Sequence, residues 1–216
     1  MQDAPERQLV NRMIRASRFE RQLYAEVAAD ITATRPALQV VVIAALASAF
    51  ATFLGYQLDP PDPAWFGLDE SAADSIRESL LGTAFVLGFI LTPILSIVGW
   101  LAWSGVAWFI GTRLIAPGMQ QVEFLDVARA TGFAQAPGVL GVVGFIPVLG
   151  FIVQLGVLLW LLATGFFAIR ESMRLTDGQA IGTMVAGVIA YLIIIIVIGG
   201  TVLTGLIGAA LIGAVP

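Results

Sequence analysis

The chain is 216 residues long, 58% hydrophobic and 12% charged, with a mean hydropathy of +0.92. Soluble domains carry about twice that share of charge, so a water-soluble globule is excluded and lipid is the solvent for most of the chain. The net charge of −4 conceals a segregation of sign along the sequence. With neither Cys nor His, disulfides, thiolate chemistry, Cys/His metal sites and imidazole-ligated haem are excluded as well. Lys is also absent and all 11 cations are Arg, which reads as the coding bias of a GC-rich bacterial genome.

Residues 1–35 form an arm with no early apolar region, so no cleavable signal peptide is expected. Leu9, Val10, Met13 and Ile14 share one helical face, and Phe19, Leu23, Val27 and Ile31 follow at spacings of four. Ser17 with Glu20 has the pattern of a capping box, which predicts a break and a new helix start near Ser17. Pro36 is expected to end that helix. Arg12, Arg15, Arg18 and Arg21 fall three apart, and each adds about 1 kcal/mol of attraction to an anionic leaflet. The expectation is an amphipathic interfacial helix with these four Arg on the membrane surface. Docking of a soluble partner is the competing reading.

Four stretches free of Asp, Glu, Lys and Arg follow: 36–58, 79–112, 130–169 and 178–216. Each exceeds the roughly 20 residues that cross a bilayer as a helix. The predicted fold is an all-α polytopic membrane bundle of about five transmembrane helices, near 37–56, 80–110, 134–146, 148–169 and 179–200. Six spans are the alternative, because residues 200–216 are able to cross, re-enter or lie at the surface. The arm carries six Arg, whereas loop 57–79 carries Asp59, Asp62, Asp69, Glu70, Asp74 and Glu78 against Arg77 alone. Cytoplasmic flanks are Arg-rich, so the N-terminus is expected inside and the acidic loop outside, in a bacterial cytoplasmic membrane. The second stretch is read as one long span, tilted or kinked at Pro93, anchored at its inner interface by Trp100, Trp103 and Trp108. Residues 118–132, with Glu123, Asp126 and Arg129, read as an amphipathic cytoplasmic segment. A tight turn at 144–147 then joins spans three and four.

No ionisable residue falls within these spans. Gln154 is the main intramembrane polar group, read as an interhelical hydrogen bond worth about 1 kcal/mol or as a solute contact. Gly178, Gly182, Ala186 and Ala190 repeat every four residues, and Gly205 and Ala209 continue the row. Small faces let helices approach closely, either within the protomer or at an oligomer seam. Gly138, Gly141 and Gly144 fall three apart and favour close packing or local irregularity. No catalytic, cofactor-binding or metal-ligating set emerges, so no cofactor is expected.

The stretch 123–137, with its Gly132-Phe133-Ala134-Gln135-Ala136-Pro137 turn, resembles the segment leading to span three in the Yip (Ypt-interacting protein) domain family. Residues 167–180 are similar to that family's link between spans four and five. The resemblance covers about Arg12 to Gly200 and identifies the chain as a prokaryotic-type member. It implies five spans, an inner N-terminus and a short outer C-terminus. The Asp-Leu-Tyr-Gly-Pro motif of many eukaryotic members is missing, so their GTPase binding does not carry over. The function expected is a non-enzymatic scaffold, assembly or accessory subunit. Its partners would be the bilayer and a membrane protein or a second copy of itself, with no nucleic acid. A transporter or channel for a small neutral solute is the alternative.

Overall fold

The computed structural model describes residues 5–58, 70–118, 121–146 and 148–213; beyond 197, and over most of 70–87, it describes the backbone alone. Among the described residues, seven α-helices run in chain order: α1 Pro5–Ser17, α2 Arg21–Ala29, α3 Thr34–Leu58, α4 Glu70–Phe109, α5 Phe124–Phe133, α6 Leu149–Ser172 and α7 Asp177–Gly213. A π-helical turn, Ile110–Ile115, extends α4, and a 3-10 helix, Ala136–Phe145, continues from α5. Among the described residues, four helices are long and apolar enough to cross a membrane, at Ile31–Leu58, Gly88–Ile115, Leu149–Ser172 and Asp177–Val197, and the 3-10 segment is a shorter apolar piece. The all-α polytopic bundle is therefore the architecture.

Three boundaries differ from expectation. The first concerns Pro36, which ends nothing: α3 begins at Thr34 and Pro36 lies in its first turn, where a missing N–H costs no helical bond. Next, α4 starts at Glu70, so residues 70–79 are helical rather than loop, and it runs unbroken across Pro93. Last, α7 passes Gly199 and Gly200 to Gly213 as one helix. Acidic loop residues 59–69 and turn residue Pro147 lie outside the described residues.

The 3-10 segment Ala136–Phe145 is where the sequence determines an unusual backbone. A 3-10 helix has three residues per turn, so every third residue stacks along one line. Gly138, Gly141 and Gly144 form that line. A methyl on Gly138 would lie 3.3 Å from Ala44 Cβ of α3, and one on Gly144 would clash with Gln154 of α6. The glycine edge thus lets the segment lie close against both helices.

Burial concentrates at the arm-bearing end. One cluster joins Ala16, Leu23, Tyr24 and Val27 of the arm to Ala37, Val40 and Val41 of α3, Trp100 of α4, and Ala130 and Phe133 of α5. A second joins Ala107, Val127, Ile169, Met173 and Ala180. Away from that end, α6 and α7 expose Phe151, Ile152, Leu158, Ile193 and Ile196, as lipid-facing helices do.

Candidate functional site

The arm does not lie alone as a surface helix. Leu23 and Val27, expected to face lipid, are fully buried against the protein, while Ile31 is 82% exposed. The two helices fold back on each other at Phe19, whose φ of 60° is left-handed. Phe19 N–H donates to Ala16 O at 3.1 Å and Glu20 N–H to Arg15 O at 3.1 Å, the closing pattern that glycine usually fills. No capping box forms there: α2 starts at Arg21, and Ser17 Oγ donates back to Met13 O at 2.9 Å. The reversed chain is fixed to α6 by the Trp160 indole N–H, which donates to Ser17 O at 2.8 Å, and by Phe19 against the rings of Trp160 and Phe167.

The four Arg assigned to the membrane surface divide. Arg12 pairs with Asp30 at 2.7 Å, and Arg15 with Glu20 at 2.6 Å and Glu26 at 3.0 Å. Arg18 and Arg21 are exposed, and Arg21 stacks over Phe167 at 5.2 Å from the ring centroid. The Arg15 guanidinium holds the Glu20 carboxyl below the usual carboxylate range, and Thr32 followed by Arg12 does the same for Asp30. For Arg12 and Arg15 the arm itself supplies the counter-charges that were expected in lipid. Burial pushes the Tyr24 phenol up, and its hydroxyl donates to Ala16 O at 2.9 Å.

Beneath the arm lies α5, in the segment expected to be amphipathic and cytoplasmic. Every residue from Val127 to Phe133 is buried. Gly132 is what allows this, since a methyl there would sit 2.8 Å from Ala37 Cβ and 3.1 Å from the Trp100 ring. Trp100, expected as an interfacial anchor, is buried and donates its indole N–H to Ala128 O at 3.0 Å and Thr131 Oγ1 at 3.2 Å. Ser104 and Thr131 hydroxyls meet at 2.7 Å. Trp108 likewise ties α4 to the loop through Val122 O at 2.8 Å.

One buried charge was missed from sequence. The Arg129 side chain is 4% exposed; its Nη2 reaches Asp126 Oδ1 at 2.8 Å and its Nε reaches Leu125 O at 2.9 Å. Its Nη1 has no protein partner. Asp126 Oδ2 also accepts the Glu123 N–H at 2.9 Å, completing the α5 capping box. The available signal was Asp126 and Arg129 three apart among small residues Ala128, Ala130 and Gly132, a composition suited to burial.

The remaining expected sites are spread along the bundle. Gln154 Nε2 donates to Gly141 O at 3.3 Å, beside the glycine edge. On α7, Gly178 is exposed with open space around it, while Gly182, Ala186 and Ala190 are half-buried. The buried line is Ala180, Thr183 and Gly187, the last against Trp103. Side-chain surroundings of Gly205 and Ala209 lie outside the described residues. Among the described residues no three acidic groups converge on a point that would hold a metal ion.

Comparison with known families matches residues 18–199 to the Yip1 domain. The chain belongs to the Yip1 domain family. No curated protein and no solved structure matches it. The Yip1 domain match begins at Arg18, in the turn between α1 and α2, so α1, with Ala16 of the arm-end core, lies outside it, and α2, α5 and the other buried residues of that core lie within.

Proposed function

We propose that this Yip1 domain protein is a non-enzymatic membrane scaffold or accessory subunit, acting through helix–helix and lipid contacts. The observation that carries the reading is the use of its buried polar groups. Trp100, Ser104, Thr131, Thr164 and Thr183 each bond a backbone carbonyl or one another inside the bundle. The first four tie α4 and α6 to α5 and its C-terminal end, whereas Thr183 bonds Gln179 O within α7. The outer faces supply the contact surface: Ile181, Val185 and Ile189 are exposed beside the half-buried Gly182, Ala186 and Ala190 row. Mild-detergent purification with cross-linking and mass spectrometry should recover a homo-oligomer or a membrane-protein partner. A strictly monomeric particle with no cross-linked partner would contradict the proposal.

The arm-bearing end is assigned to the cytoplasm of a bacterium on the Arg bias described above. The Cys-free sequence makes the test direct. In intact cells an impermeant thiol reagent should label Val148→Cys, an exposed site at the far end, and label Ala25→Cys on α2 after permeabilisation alone. The reverse pattern would invert the topology.

A further inference from the structure

The Trp160–Ser17 hydrogen bond sets the depth of the arm. Trp160 is midway along the 24-residue α6, about 18 Å from its C-terminal end at 1.5 Å per residue. The turn bearing Arg18 and Phe19 is clamped against α6 between its midpoint at Trp160 and Phe167, five residues from its C-terminal end. Arg18 is exposed and its guanidinium has no partner among the described residues. Glu20, the nearest acid in sequence, is turned to Arg15 at 2.6 Å. Arg21 is exposed next to it over Phe167. One turn beyond Trp160 the same face of α6 opens: Gly156 has nothing within 4 Å, and Ile152 is 61% exposed. Phe19 is itself 39% exposed at the junction. Two uncompensated cations thus stand at the head of an open apolar track.

We propose that this notch holds one anionic phospholipid, its phosphate on Arg18 and Arg21 and an acyl chain along Gly156 and Ile152. An exposed cation beside a lipid-facing helix is satisfied by drawing a headgroup phosphate to it, and guanidinium matches phosphate with paired N–H donors. A second cation favours a headgroup without its own ammonium. The inference stands independently of the scaffold reading.

The test uses the full chain, delipidated in mild detergent and titrated with phosphatidylglycerol or phosphatidylcholine under native mass spectrometry. One phosphatidylglycerol per chain should be retained, in preference to phosphatidylcholine by roughly tenfold. Arg18→Gln with Arg21→Gln should abolish that preference while the melting of the helical circular dichroism stays unchanged. Arg35→Gln, which removes another exposed Arg, should leave it intact. Undiminished retention by the double variant, an equal loss in Arg35→Gln, or full displacement by inorganic phosphate would each overturn the site.

Discussion

Replacing Gly132 by Val should destabilise the bundle by about 3 kcal/mol, the upper end for forcing carbons into a close-packed core. The first added carbon would already lie 2.8 Å from Ala37 Cβ and 3.3 Å from the Ala37 carbonyl oxygen. Backbone on one side and the Trp100 ring on the other leave it no direction to move. The smaller Gly132→Ala change should be partly rescued by Ala37→Gly, which deletes the methyl it meets. Gly156→Val, placed in open space, should stay within about 0.5 kcal/mol of the parent. Denaturation in mixed detergent measures all four. Equal losses at Gly132 and Gly156 would show that the α3–α5 approach does not set the cost.

Asp126→Ala is the second large effect, about 3 kcal/mol, at the low end for breaking a buried ion pair. A quarter of the Asp126 side chain is exposed, which tempers the loss. The cost comes mainly from the partner left behind: Arg129 would keep its burial with Nη2 joining Nη1 as an unsatisfied donor. Removing the Asp126 acceptor from the Glu123 N–H also loosens the start of α5. Asp126→Ala combined with Arg129→Leu should recover most of the loss, because the uncompensated charge goes too. A double variant no more stable than Asp126→Ala alone would refute the pairing argument.

The membrane class and the long apolar helices were legible because charge is absent from those stretches, and lipid tolerates few alternatives to a helix. The arm was not, for a physical reason. Leu23 and Val27 present the same apolar face whether the surface receiving them is lipid or α5 and α6. The carboxylates that neutralise Arg12 and Arg15 are scattered at Glu20, Glu26 and Asp30, and a left-handed turn at a phenylalanine brings them within reach. Nothing in the residue type announces that turn, nor the similar one at Arg174. Trp100 was ambiguous in kind, since an indole needs one polar partner and a carbonyl in the core serves as well as a headgroup. The 3-10 segment was legible in part: its three-residue glycine spacing was visible, but an α-helix would also keep those glycines on one side, spread over about a third of its circumference. Arg129 was placed on an amphipathic cytoplasmic segment, and its burial follows from α5 being enclosed by α2, α3, α4 and α6.

The central claim is that the arm is part of the folded core and needs no anionic surface to order it. Hydrogen exchange over residues 21–29 of the full chain, in nanodiscs of purely zwitterionic lipid, tests this most directly. The account predicts strong protection of those amides, unchanged when anionic lipid is added. Rapid exchange in zwitterionic lipid, with protection appearing when anionic lipid is supplied, would contradict it.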